Sequence, residues 1–331
     1  MSERFCPDSL VANHDSREVI LSVIIATYNA RDLIAACLES LYNHPPNALF
    51  EIIVVDDASI DQTYEMVHER FPEVRLLRND ENVNYGRSNN RAIDVARGRY
   101  LYLLNNDTIM LPGALDAMLE FLEQHPDAGA VGSKLLNEDG SIQWSVKSLP
   151  NPMSALFGAR SFITRLYPNN PFSRRHLLHL SRDMSHPFVA PYVSSASVMI
   201  PSHVVKRVGY LDERLTYHVD ADYCKRISNA GWKTYYLPTA TVIHLDHKGG
   251  TLVNRRRRFR AVVEFHRGSY IFYRKHLMRS PYSPTHLVVI LGLGIRFIFS
   301  LTLQVVKELG REMCRSLETL QRQVKAKIRT Q

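Results

Sequence analysis

The sequence predicts an α/β protein, a mostly parallel sheet covered by helices on both faces, followed by a helical, membrane-associating C-terminal extension. Three observations lead there. Between residues 19 and 132, apolar runs rich in Val, Ile and Leu alternate with segments of helical period. Each run stops abruptly at polar residues, as a buried strand does on reaching a loop, and such alternation favours parallel pairing with both faces covered. Beyond residue 254 the alternation gives way to arginines interleaved with aromatics and then a long apolar run. The 331 residues suffice for one large core, or one core with a smaller appendage.

Residues 1–18 are polar and lack the apolar centre of a secretory signal, which predicts a mobile tail and no export. VILSVIIATYNA, from Val19, is a buried strand that ends at Thr27-Tyr28-Asn29, and Asp32 opens a helix. Phe50–Val55 forms the second strand, closed by Asp56-Asp57-Ala58-Ser59, with a helix from Asp61 to about Arg70. Val74–Leu77 is a short third strand leading through a polar loop to a helix over Arg87–Ala96. The fourth strand, from Leu101, stops at Asn105-Asn106-Asp107, and a helix covers Ala114–Glu123. Asn137-Glu138-Asp139-Gly140 signals a turn, and the Pro-, Arg- and His-rich stretch from Leu149 to Pro191 carries no clear period. Patterning resumes with a strand over Tyr192–Ile200, a helix around His203–Val208, a helix containing Tyr223–Ile227 and a β-branched run, Ala240–Ile243, that ends at His244.

Composition excludes several functions. Lys and Arg outnumber Asp and Glu by 41 to 33, a balance that suits phosphate-bearing substrates, an anionic membrane or nucleic acid equally well. No helix-turn-helix, finger or RNA-recognition pattern accompanies the charge, which argues against nucleic acid. Cys6, Cys37, Cys224 and Cys314 are widely spaced, indicating neither a zinc site nor a disulfide framework and fitting a reducing cytosol. The loop after the first strand, ATYNARD, has no glycine, so it is neither a dinucleotide fingerprint nor the glycine-rich loop of a nucleotidyltransferase.

Asp107 is the candidate metal ligand. Ligands gather at the carboxyl ends of strands in open α/β sheets, and a hard cation bridging phosphates needs an oxygen held on a rigid support. Asp107-Thr108 also suits a helix N-cap, and Asp56-Asp57 a solvated turn or cap, so these residues alone leave both roles open.

Nine motifs occur in order: SVIIATYN, IIVVDDASIDQT, ENVNYGRSNN, YLLNNDT, VGSKLLNEDGSIQ, GYLDERL, DADYCKR, AGW and TVIH. Through them most of the chain resembles the inverting family 2 glycosyltransferases of the GT-A fold, and within these the rhamnosyltransferase-like branch. The resemblance implies a catalytic domain over 19–254, with a nucleotide-binding half to about 132 and an acceptor half from about 133. It implies that Tyr28 stacks on the nucleotide base, that Asp57 with Asp56 contacts base or ribose, and that Asn84, Asn90 and Asn106 complete the donor set. Asp107 closes a variant Asp-x-Asp motif and, with His244, contacts Mg²⁺ or Mn²⁺ at the diphosphate. Asp220 is the implied catalytic base, taking the acceptor hydroxyl proton in a single in-line displacement. Asp222, Arg226 and Trp232 are acceptor or positioning residues, and Arg174, Arg175, His176 and His179 lie where family members hold acceptor loops. The family's Glu before the base is Val219 here. Asp220 and Asp222 equally suit the first turn of a helix.

The extension, residues 255–331, opens with Arg255–Arg258 and continues into LVVILGLGIRFIFSLTLQVV. About twenty residues at ~1.5 Å each match a ~30 Å hydrocarbon core, yet Arg296 near the middle costs roughly 2.5–3.5 kcal/mol there. A helix lodged in the inner membrane face or packed on a partner is preferred, with a span as the alternative and an oligomer through this helix among the partners. The expected function is metal-dependent inverting transfer of a sugar, rhamnose by resemblance, from a nucleotide-diphosphate donor to a lipid-linked or oligosaccharide acceptor of a bacterial surface glycan. The expected location is the cytoplasmic face of the cell membrane. The alternative is a catalytically inactive sugar-nucleotide-binding protein of the same fold.

Overall fold

A computed structural model describes residues 18–151, 166–167, 169–178, 181–245 and 255–329. All but the last residue of the expected N-terminal tail lies outside the described residues, as does His179.

The first four strands are β1 (Leu21–Thr27), β2 (Phe50–Asp56), β3 (Arg75–Arg78) and β4 (Tyr100–Leu104), joined by helices α1 (Arg31–Asn43), α2 (Thr63–Arg70) and α3 (Tyr85–Val95). Element ends fall within a residue or two of those expected. A short β5 (Thr108–Met110) and α4 (Ala114–Gln124) lead to the long β6 (Ala128–Leu136). Then follow β7 (Val146–Lys147), α5 (Pro171–His176), β8 (Phe188–Val189), β9 (Tyr192–Val193) and β10 (Ser197–Pro201). α6 (Ser202–Val208), α7 (Val219–Asn229) and β11 (Lys233–His244) complete the core, and α8 (Arg255–His276) and α9 (Pro284–Arg329) form the extension.

The main sheet has the order β3-β2-β1-β4-β10-β6-β11-β5, with β8 also paired to β11. β10 is antiparallel to both β4 and β6, so β6 and its parallel neighbour β11 run with β1 to β4. Six strands therefore share one direction, and β5, β8 and β10 oppose them. The chain leaves β1 towards β2 and β3 on one side and returns to β4 on the other, creating the crevice where ligands of such sheets bind.

Side-chain alternation assigns the two faces. Val23 and Ile25 of β1, Ile52 and Val54 of β2 and Tyr102 of β4 face α1, α2 and α4 through Leu38, Met66 and Met118. Ile24, Ile53 and Leu103 face the other layer, with Ala92 of α3, Val204 of α6 and Tyr223 of α7. Cys37 and Cys224 are free and buried within these layers, and burial pushes each thiol up to about 12.

The strand expected over Tyr192–Ile200 is instead two. β9 pairs with β7 in a small separate sheet, whereas β10 enters the main sheet. A single apolar run thus serves two sheets, and the bend at residues 194–196 moves between them. There Ala196 O accepts from Asn105 N–H at 3.0 Å, which ties the bend to the end of β4.

α8 and α9 pack antiparallel, with Arg255 on Glu312 at one end and the Tyr273 ring 5.8 Å from that of His286 at the other. Gly268 lets α8 approach the core, because a Cβ there would lie 2.7 Å from Tyr217 O.

Candidate active site

The β1 and β2 ends form one wall of the crevice. Register pairs Thr27 with Asp56, and Asn29 clips the two loops together by donating its N–H to Ser59 Oγ and accepting from Ile60 N–H. Asp56 is wholly buried. Its Oδ2 accepts from Ser59 N–H at 3.1 Å, Arg78 Nε lies 3.7 Å from the same oxygen, and Oδ1 has no partner among the described residues. Burial pushes this carboxyl above the usual carboxylate range. Asp57 accepts from Asn79 Nδ2, Val83 N–H and Asn84 N–H, so it shapes the loop before α3. Tyr28 follows β1, and the Arg257 guanidinium lies 4.6 Å from its ring centroid.

Of the expected donor residues, Asn106 belongs to this wall, donating to Thr27 Oγ1 at 2.9 Å. Asn84 and Asn90 are committed elsewhere. Asn84 caps α3 by accepting from Arg87 N–H and donates to Glu213 O, while Asn90 exchanges two hydrogen bonds with the Leu211 backbone. Both amides bracket residues 211–213 onto α3.

At the end of β4, Asp107 Oδ1 lies 3.2 Å from His244 Nε2, and the Asn105 amide is 3.4 Å from the same nitrogen. These groups meet because β5 pairs with the end of β11, setting Thr108 opposite His244, and Leu245 N–H donates to Asp107 O. Among the described residues no cluster of three His, Cys, Asp or Glu side chains exists that could cage a metal. One carboxylate oxygen and one imidazole nitrogen fit Mg²⁺ or Mn²⁺ in the manner of sites where phosphate oxygens and water supply the remaining ligands.

Asp220 opens α7 on the other side of the bend at 194–196. Its Oδ2 accepts from Tyr192 OH at 2.9 Å, Oδ1 from Ala221 N–H, and the Ser195 backbone N–H also donates to it. Burial pushes its carboxyl above the usual range, against the hydrogen bonds and the nearby Lys147 ammonium that favour its charge. Chemically this is a partly sheltered, strengthened base held on a helix end.

Asp222, two residues on, faces a different way. Burial alone would raise its carboxyl, but Lys275 Nζ at 2.8 Å, Arg226 Nε at 2.8 Å and His276 Nε2 at 2.7 Å together hold it below the usual range. Arg226 also donates to Val208 O and Tyr210 O. Asp222 and Arg226 therefore join α8 to α7 and are not brought to the cleft. Trp232 is not brought there either. It precedes β11 and packs on Gly129, and twelve strand residues at about 3.3 Å each separate it from the His244 end. Arg174 and Arg175 are exposed on α5.

Three residues at the site escaped the motif reading. Gln143 accepts from His244 Nδ1 and donates to His244 O. It stands in the quoted VGSKLLNEDGSIQ segment, but only the turn was legible. Tyr192 appeared as a strand residue, and Arg257 as one arginine of a basic run.

A family model described as Glycosyl transferase family 2 matches residues 22–190, from β1 to just beyond β8. An N-acetylglucosaminyl-diphospho-decaprenol L-rhamnosyltransferase of Mycobacterium tuberculosis is 27% identical over 265 residues, covering 76% of this chain and 83% of that relative. Among solved structures, the mannosyltransferase PcManGT from Pyrobaculum calidifontis, in complex with GDP-Man and Mn²⁺, superposes with a TM-score of 0.56 at 17% identity, covering 88% of this chain and 74% of that one. Residues 1–349 of TarS from S. aureus superpose with a TM-score of 0.50 at 16% identity, covering 86% and 81%. At such identities the two structures establish likeness of fold.

Proposed function

The chain belongs to glycosyl transferase family 2, and from that premise we propose that it transfers rhamnose from a nucleotide-diphosphate donor to a lipid-linked acceptor of a bacterial surface polysaccharide, by metal-dependent inverting displacement. The choice of sugar and acceptor follows the name of the mycobacterial relative. The observation that carries the mechanism is the pairing of two centres across the bend at 194–196, with Asp107 and His244 on one side and Asp220 on the other.

Tyr28 offers its ring to the base, and Asp57 with Asp56 stands beside it for the base or ribose. Asp107 and His244 would hold the divalent ion, which when bound would supply Lewis-acid neutralisation at the departing diphosphate. Asp220 accepts the acceptor hydroxyl proton while that oxygen bonds to the anomeric carbon and the anomeric C–O bond breaks, its electron pair leaving on the diphosphate. Tyr192 fixes Asp220 Oδ2, and the raised proton affinity makes the carboxylate a stronger base. Val219, where the resembled family has Glu, is buried in the core.

We assign catalysis to residues 19–254 and membrane docking to 255–331. Along α9, Val288, Leu291, Ile295, Phe299, Val306 and Leu309 are exposed at helical spacing, a continuous apolar stripe. The opposite face meets α8, with Arg296 over the Phe265 ring and Glu308 paired to Arg258. A spanning α9 would draw α8 and its arginines with it, at roughly 2.5–3.5 kcal/mol for each near the bilayer centre, whereas lying in the plane of the cytoplasmic surface buries only the stripe.

The decisive experiment is Asp220→Asn, assayed with saturating donor and metal. The amide can still bond Tyr192 OH and Ala221 N–H but cannot take the proton at neutral pH. Transfer should fall roughly 10²–10⁴-fold with donor affinity little changed. In the wild type, transfer should fall as pH drops through the raised carboxyl pKa, above the ~3.9 of an ordinary Asp. Near-normal turnover by the variant would remove Asp220 as base. Donor binding by the wild type without transfer to any acceptor would point instead to an inactive sugar-nucleotide binder.

A further inference from the structure

We propose that Gln143 is a positioning residue that sets the orientation and tautomer of His244, so that an unprotonated Nε2 faces the divalent ion. This rests on the reading of Asp107 and His244 as metal ligands.

The sequence delivers Gln143 by a tight reversal. After β6, Asn137 N–H donates to Ser141 O and Asp139 Oδ1 accepts from Ser141 N–H, with Gly140 at φ +80° completing the turn. The chain comes back on itself, so Ile142 bridges to Leu136 and Gln143 N–H donates to Leu135 O at 2.8 Å. Because β6 and β11 run side by side with Leu136 opposite Ile243, this return strand meets the end of β11, where His244 stands.

The primary amide then grips one residue twice. Gln143 Nε2 donates to His244 O at 2.6 Å, and Oε1 lies 2.9 Å from His244 Nδ1. A carbonyl oxygen can only accept, so the amide nitrogen must face it, and Oε1 must then face the ring. Oε1 can only accept as well, which places a proton on Nδ1. In the neutral imidazole the lone pair is therefore on Nε2, 3.2 Å from Asp107 Oδ1. The double contact also fixes the ring against the backbone of its own residue, so the nitrogen cannot turn away. Partners of this kind, bonded to the second nitrogen of a ligating His, govern its ring orientation and basicity.

Two measurements test this. In the metal-free wild type, ¹⁵N–¹H correlation of the His244 ring should show a proton on Nδ1, and a ring protonated on Nε2 alone would overturn the proposal. Mn²⁺ alone, titrated by water-proton relaxation, should bind Gln143→Leu about 10–100-fold more weakly than wild type. Gln143→Glu keeps an acceptor for Nδ1 but loses the N–H given to His244 O, so its Mn²⁺ affinity should fall between those of the wild type and Gln143→Leu. Wild-type Mn²⁺ affinity in Gln143→Leu alongside a loss in His244→Ala would sink the role of Gln143 alone. An equal loss in Gln143→Leu and Gln143→Glu would do the same, by pointing to general damage. Unchanged Mn²⁺ affinity in His244→Ala would sink the metal reading itself.

Discussion

Replacing Asp222 with Asn should damage stability and spare chemistry, the reverse of what is expected at Asp220. The Asp222 side chain is fully buried and touches Lys275, His276 and Arg226 at 2.7–2.8 Å. An amide can accept from one side only and would turn its own N–H groups towards donors on the other. Breaking a buried ion pair by removing one partner costs about 3–5 kcal/mol. Here Arg226 would keep Val208 O and Tyr210 O, and Lys275 would keep Asp212 Oδ2 at 2.9 Å, so the lower end, about 3 kcal/mol, applies. Urea unfolding at neutral pH measures the loss, with transfer per folded molecule and donor affinity measured alongside. The sign of the pH dependence is set by the depressed folded pKa of Asp222. Its contribution is present above the unfolded value of ~3.9 and is lost as pH falls through the lower folded value, so wild type and variant should converge in acid. A destabilisation below about 1 kcal/mol would refute the buried-network argument, since that is the scale of a solvent-screened surface pair. A large fall in transfer per folded molecule would instead return Asp222 to the acceptor site.

Asp107→Ala should abolish the metal-dependent part of donor binding while leaving the fold intact, and donor affinity that is identical with and without a chelator would remove Asp107 as a ligand. Replacing Leu291, Ile295 and Phe299 together with Glu should end co-sedimentation with anionic vesicles while donor binding persists, because these side chains point away from α8. Failure of the wild-type protein to sediment with such vesicles would exclude membrane docking. Tyr28→Ala should weaken nucleotide binding by roughly the 1–3 kcal/mol typical of a stacked base, as followed by calorimetry with nucleoside diphosphates, and unchanged affinity would place the base elsewhere.

Some features were legible because they depend on neighbours in sequence. The apolar runs that stop at Tyr28, Asp56 and Asp107 are local patterns, and the residues at their ends do stand along one edge of the sheet. The turn at Asn137–Ser141 was legible for the same reason. Other features depend on which strand lies beside which. The apolar run Tyr192–Ile200 has the composition of one strand, and only competition between two sheets for its pairing divides it at the bend beside Asp220. Asn84 and Asn90 sit in a motif whose polar side chains suggest ligand contacts, yet a loop more than a hundred residues away claims their hydrogen bonds.

The sequence by itself determined the α/β class, the sites where buried strands end and the presence of a basic and apolar helical extension, because hydrophobic period and turn chemistry are properties of contiguous residues. Tertiary structure alone decided which polar groups are spent and which remain. It put Asp222 into an ion cluster with α8 and left an oxygen of Asp56 without a partner among the described residues. It also set Gln143 on His244, 101 residues away. Each of these outcomes is a hydrogen bond satisfied or withheld across long loops, and a buried polar atom takes whatever partner the packed sheet brings within about 3 Å.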